Sequence, residues 1–173
     1  IYHHGEIVLS WNFENTAANL PILLSTVAGG TFDLNAFSGI KLIDLDIPEA
    51  YYQVYQGPQF GIDGTRELTK VYNRPIIGSI IKPCIGLTPE ETAERVQALA
   101  EAGIDFIKDD ELIGDHPQSP FEKRVEKIMS VLNRHADKTG KKVMYAFNIS
   151  GDMDDMLRRH DTVLGHNGTC IMV

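Results

Sequence analysis

From Pro75 onward the chain alternates short apolar runs with amphipathic stretches, and this alternation limits the fold more than any other feature. "PIIGSIIKP" (Pro75–Pro83) is a mostly apolar run bounded by prolines. "TPEETAERVQALAEAG" follows it. Thr88 can cap a helix there, Pro89 suits the first helical position, and Glu91 completes a capping box. Ala93, Val96, Leu99 and Ala100 form the apolar stripe, and Gly103 stops the helix. "IDFIK" reads as the next strand. A long helix is predicted over about 120–139, with Phe121, Val125, Ile128, Met129 and Leu132 on one side. "KVMYAFNIS" (Lys142–Ser150) is a third strand, "DMDDMLRRHDTVL" a third helix and "TCIMV" a fourth strand. A β-α-β-α-β-α-β order with short connections predicts a parallel sheet covered by helices.

Two architectures satisfy that order: an open doubly wound sheet and half of a (β/α)8 barrel. No strand-linked GxGxxG and no GxxxxGK[ST] is present, so the usual nucleotide-binding forms lack support. The polar residues favour the barrel. Lys82, the Lys108–Glu111 group and Asn148 each fall at the C-terminal end of a strand, which in a barrel is the catalytic rim.

Upstream the pattern differs. "EIVLSWNF" (Glu6–Phe13) and "GIKLIDLDIP" (Gly39–Pro48) read as strands. Between them "NTAANLPILLSTVAGG" reads as a loop and a short helix ending at the glycine pair, with Pro21 near its first turn. These short elements predict a small α+β unit. "QGPQFGIDG" (Gln56–Gly64), with three glycines and a proline, is the candidate linker. The expected organisation is therefore an α+β domain over 1–60, a linker and short helix over 61–74, and four barrel strands over 75–173.

Charge and cysteine usage narrow the function classes. Sixteen basic residues against 24 acidic ones give a net charge of −8, with no basic cluster. Nucleic acid and anionic membrane are therefore poor partners, whereas a small phosphorylated or carboxylated substrate needs only a few local cations. Cys84 and Cys170 are far apart and read as reduced thiols of a cytoplasmic protein. No signal peptide or membrane span is legible. The absence of an initiator Met and an end inside an apolar run lead to the expectation that this is part of a longer chain. Four strands cannot close a barrel, so these 173 residues alone are expected to be inactive.

The most unusual stretch is "GIDFIKDDEL". Asp105, Asp109, Asp110 and Glu111 surround Lys108 in sequence. Strand alternation directs Phe106, Lys108 and Asp110 to one face and Asp109 to the other, towards the helix layer. Oxygen ligands of this kind suit a hard cation such as Mg²⁺. The six histidines are scattered and pair with no thiolate, so nothing suits structural zinc. Spacing alone leaves two readings open: an acidic solvated turn with Lys108 in a salt bridge, or a charged site at a strand end. Lys82 is either a snorkelling rim lysine or a group that holds phosphate or moves a proton. Asn148 either offers its amide to the same mouth or caps the following loop. Asn19 reads as an ordinary helix cap.

At this point the residues carry a resemblance. "GSIIKPCIGLTPEETAERVQALAEAGIDFIKDDE" resembles the first two β-α units of the RuBisCO large-chain superfamily, and "QSPFEKRV" and "TGKKVMYAFNIS" continue it. "LLSTVAGGTF", "IKLIDLDIPEAYYQVYQGPQFGI" and "YNRPIIGSIIKP" are similar to its N-terminal region. The resemblance implies a ferredoxin-like α+β N-terminal domain followed by the first half of a TIM barrel. It implies that Lys108 is carbamylated by CO₂ and binds one Mg²⁺ together with Asp110 and Glu111. It implies that Lys82 acts beside the reacting carbon as a base or as an electrostatic partner of the enolate. Asn19 then matches an asparagine that reaches the neighbouring subunit's active site, and Asn148 matches one with a supporting role in substrate binding. A homodimer, or an oligomer built from dimers, is the implied assembly.

One departure stands out. Carboxylases of this superfamily have Lys-Pro-Lys where this chain has Lys82-Pro83-Cys84, and a thiol supplies neither that charge nor those donors. The resemblance therefore implies a RuBisCO-like protein (form IV). "HPQSPFEKRV" and "RRHDTVLGHNGTCIMV" look nearer to the group that decarboxylates, or transcarboxylates and hydrolyses, sugar acids. The alternatives are an enolase or isomerase of methionine salvage, a true ribulose-bisphosphate carboxylase, and a non-catalytic binding protein.

Overall fold

A computed structural model describes residues 3–173; Ile1 and Tyr2, with which the expected first domain begins, lie outside the described residues. The chain divides into two compact units, one ending at Gln59 and the other running from Phe60 to Val173.

In the first unit the secondary structure is helical. Helix α1 (Phe13–Thr16), α2 (Leu20–Ala28), a 3-10 turn (Gly30–Asp33) and α3 (Glu49–Val54) follow one another. Asn19 caps α2 by accepting a hydrogen bond from the Ile22 N–H, and Pro21 sits in the first turn, where its missing donor costs nothing. The stretches predicted as strands, Glu6–Phe13 and Gly39–Pro48, pair with nothing among the described residues. The physical reason is that a β-run is stabilised by its ladder and cross-strand neighbours, not by its own alternation. Without a partner, Ile7, Val8, Leu42 and Ile43 stay exposed.

In the second unit α4 (Gly61–Thr69) begins inside the stretch read as a linker. Then come β1 (Gly78–Ile80), α5 (Pro89–Glu101), β2 (Phe106–Lys108), α6 (Phe121–Thr139), β3 (Met144–Asn148), α7 (Met153–Gly165) and β4 (Cys170–Met172). The four strands form one parallel sheet in the order β1-β2-β3-β4. Sequential parallel order of this kind is the first half of a (β/α)8 barrel, and it sets aside the doubly wound alternative, whose strand order reverses. The Thr88–Glu91 capping box forms as the sequence predicts. Gly140 ends α6 at φ 72°, a conformation costly for a side chain with a Cβ. Gly78 lets β1 approach β2 closely: a Cβ there would lie 2.7 Å from Cδ1 of Phe106.

The core lies between sheet and helices. Ile81, Ile107, Tyr145 and Phe147 face Val96 of α5, Phe121, Val125 and Ile128 of α6, and Val163 of α7. Side chains of the other parity, such as Phe106, Lys108 and Met144, remain partly exposed. Period-two alternation thus delivers Lys108 to the open face.

Asp105, three residues before Lys108 in the motif, stands at the other end of β2. Its carboxylate accepts both Nη atoms of Arg74 at 2.5 and 2.9 Å, the Ile77 N–H at 3.0 Å and Lys141 Nζ at 2.8 Å. It fastens the entry of β2 to the segment before β1. Arg74, then the Ile77 amide and Lys141, hold it well below the usual carboxylate range against the opposing effect of burial. A depressed folded-state pKa stabilises above the unfolded value of about 3.9 and is lost as pH falls through the folded value. We therefore expect Asp105→Asn to lower the melting temperature at neutral pH and to flatten its decline below about pH 4. Melting curves of both proteins from pH 7 to pH 2 check this; parallel acid limbs would contradict it.

Candidate active site

Two adjacent strands lead to lysines at their C-terminal ends, and each lysine meets a carboxylate from the same loop. Lys82 follows β1 by two residues, and its ammonium donates to Oδ2 of Asp110. Lys108 is the last residue of β2, and its Nζ donates to Oε1 of Glu111 at 2.8 Å. The register explains the pairing. Ile80 lies beside Lys108 across the β1–β2 ladder, and the Ile81 N–H continues it to the Lys108 carbonyl. The two lysines thus leave the sheet side by side at its C-terminal edge.

The local field follows from these contacts. Lys82, first, and then the Leu112 N–H hold Asp110 below its ordinary range. Lys108 does the same for Glu111, while the neighbouring Asp110 opposes it. In return Asp110 lifts Lys82 above the usual lysine value, with small contributions from Cys84 and Glu111. Cys84 is only partly exposed and stands within electrostatic reach of the Lys82 ammonium.

Asp109 points the opposite way, as strand alternation requires. It is 0% exposed. It accepts the Tyr145 hydroxyl at 2.5 Å and the Asn148 N–H at 3.0 Å, and Nη2 of Arg124 lies 3.6 Å away. Burial pushes its carboxyl up, opposed by Arg124, Tyr145 and Asn148. The same burial, together with the nearby carboxylate, pushes the Tyr145 phenol far up, so it stays a donor.

Asn148 is directed at the loop. Its Nδ2 donates to the Glu111 carbonyl at 3.0 Å, its Oδ1 accepts the Ser150 N–H, and 3% of the residue is exposed. Asn19 belongs to the first unit, where its Oδ1 is engaged in capping α2. The four residues brought together are therefore Lys82, Lys108, Asp110 and Glu111, with Asn148 beneath them.

Sequence reasoning passed over Arg124 and Arg159. Both are buried polar residues. Arg124 donates to the Gly114 and Ser119 carbonyls, each at 3.0 Å. Arg159 donates to the Ser150 carbonyl and pairs with Asp115 at 3.4 Å, tying the β3–α7 loop to the β2–α6 loop. Their guanidinium groups flank the Phe121 ring at 5.3 and 5.9 Å. A signal was present: each arginine falls on its helix's apolar stripe, Arg124 between Phe121 and Ile128 and Arg159 between Met156 and Val163. A lone charge at a core position needs a buried partner.

The family model described as "Ribulose bisphosphate carboxylase large chain, catalytic domain" matches residues 61–173. The 3-oxo-isoapionate-4-phosphate transcarboxylase/hydrolase of Xanthobacter autotrophicus is 55% identical over 172 residues, which is 99% of this chain and 42% of that protein. The 3-oxo-isoapionate-4-phosphate decarboxylase of Rhizobium etli is 44% identical over 174 residues, 100% of this chain and 42% of that protein. The crystal structure of a RuBisCO-like protein from Burkholderia fungorum superposes with a TM-score of 0.83 at 44% identity, covering 92% of this chain and 40% of that one. The chain spans about two fifths of the length of the curated relatives it matches. Among the described residues no helix is long and apolar enough to cross a membrane.

Proposed function

The chain belongs to the ribulose bisphosphate carboxylase large-chain family, and from that premise we propose that the intact protein is a RuBisCO-like, Mg²⁺-dependent enzyme. On this reading it forms and stabilises the enolate of a phosphorylated 3-oxo sugar acid and releases or transfers a carboxyl group; it does not fix CO₂. The observation that carries this is the paired arrangement at the sheet edge, Lys82 on Asp110 and Lys108 on Glu111, with a thiol at position 84.

The donor set fits a hard cation. Asp110 and Glu111 offer carboxylate oxygens. The family resemblance makes Lys108 the third side chain of the set. Addition of its neutral amine to CO₂ would form a carbamate and release a proton, turning a cation into an oxygen ligand. Bound there, Mg²⁺ would supply Lewis acidity to a substrate carbonyl.

The protein's own groups define the rest. In a β-keto acid the electrons of the breaking C–C bond pass into the adjacent carbonyl, and the enolate then needs a proton. Lys82 is suited to give it: its ammonium stands at the same sheet edge as Lys108 and Glu111 and reaches the loop that carries the carboxylates. Asn148 holds the Glu111 carbonyl, so its part is to position Glu111. Asn19 is assigned, on family resemblance, to the neighbouring subunit's site in a homodimer. The cytoplasm is the proposed location.

Calorimetric titration of the intact protein with Mg²⁺, with and without bicarbonate, tests the site. Bicarbonate is expected to tighten binding at least about tenfold, and Lys108→Ala to abolish that gain. Equal binding in both conditions, unchanged in Lys108→Ala, would remove the carbamate from this reading.

A further inference from the structure

We propose that Arg124 is a positioning residue: from α6 it fixes the loop that carries Asp110 and Glu111, and so sets where those carboxylates stand. The loop runs from Asp109, just past β2, to Pro120, just before α6. A connection of this length holds one shape only if something inside it satisfies its backbone. Arg124 does so. One Nη reaches the Gly114 and Ser119 carbonyls, and the Ser119 hydroxyl at 3.4 Å. The other faces Asp109, which Tyr145 and the Asn148 N–H anchor to β3. Asp109 is bonded directly to Asp110. One guanidinium thus links the start of the loop, its far half and the neighbouring strand.

The cost of this arrangement supports a positional role. Arg124 is 0% exposed, and its Nε and Nη2 have no hydrogen-bond partner. Buried ion pairs of this kind are often replaced by apolar residues with no loss of stability. What an apolar side chain cannot supply is a planar guanidinium in which one Nη donates to two carbonyls while the other faces the Asp109 carboxylate as an ion pair. Lysine, a single point of charge, cannot supply it either. A shift of about 1 Å in a ligating or reacting group can cost on the order of 100-fold in rate.

The catalytic weight of this inference rests on the reading of Asp110 and Glu111 as metal ligands; the order of the loop does not. The test uses the intact protein as Asp109→Asn/Arg124→Met, which removes the pair together so that neither charge is left buried alone, and as Arg124→Lys. Two quantities are read: hydrogen exchange at the Leu112 and Ile113 amides, both bonded to Asp110, and Mg²⁺ affinity in bicarbonate. Both variants are expected to exchange these amides at least about tenfold faster, with the Tyr145 to Phe147 amides of β3 unchanged, and to bind Mg²⁺ about 10- to 100-fold more weakly. Unchanged exchange overturns the proposal, as does faster exchange with Mg²⁺ affinity within twofold of wild type. If the wild-type protein shows no bicarbonate-dependent Mg²⁺ binding, the functional reading falls, and exchange at the two amides alone decides whether Arg124 orders the loop.

Discussion

Replacing Lys82 with methionine in the intact protein is expected to lower kcat by about 10²- to 10⁴-fold, the usual range for loss of a positioned proton donor. The fold should be indifferent to this change. The Lys82 side chain is 60% exposed, and its partner Asp110 keeps the Leu112 N–H. Mg²⁺ affinity should not fall, because Lys82 competes with a cation for Asp110. An arginine at this position would preserve charge but not a readily transferred proton, so Lys82→Arg is expected to recover little of the rate. Steady-state kinetics with a phosphorylated 3-oxo sugar acid check the point. A raised KM at unchanged kcat would make Lys82 a binding residue, not a proton donor.

The legible parts of this protein are those in which neighbours in sequence are also neighbours in space. The Thr88–Glu91 box and the stop at Gly140 need only local chemistry, and both are where the sequence puts them. Strand parity separated Lys108 from Asp109 correctly, because side-chain direction along a strand is a local property. Sequence proximity does not carry across an intervening element. Asp105 and Asp110 are five residues apart, yet they lie at opposite ends of β2, one bound by Arg74 and the other by Lys82. The two strands expected before Pro48 were illegible for a related reason: alternation specifies a face but not a partner. Asn148 was read as either facing the mouth or capping a loop. Its position at the end of β3 could be seen in the sequence, but its bond to the Glu111 carbonyl depends on the neighbouring loop's path.

That path in turn depends on the buried Asp109–Arg124 pair, where the largest loss of stability is expected. Asp109→Ala should destabilise the intact protein by about 3–5 kcal/mol, the range for removing one partner of a buried pair. The cost arises on the remaining side: Arg124 would keep a full charge at 0% exposure with only carbonyl dipoles and the Phe121 ring to face it. Tyr145 and the Asn148 N–H would also lose their acceptor. Arg124→Met is expected to cost a similar amount, because the carboxylate would then be buried without a cation. The double variant Asp109→Asn/Arg124→Met should be less destabilised than the sum of Asp109→Asn and Arg124→Met, with a coupling of about 2–3 kcal/mol. Asparagine retains an acceptor for Tyr145 or the Asn148 N–H, and no charge is left behind. Urea denaturation of the four proteins measures the cycle. Single variants losing less than about 1 kcal/mol, or strictly additive effects, would mean that solvent already reaches the pair. A total stability of about 5–15 kcal/mol makes the expected single-variant loss large enough to lower the yield of folded protein. In that case the double variant should restore the yield, and a failure to restore it would place the defect in the lost carbonyl contacts of Arg124 and not in its charge.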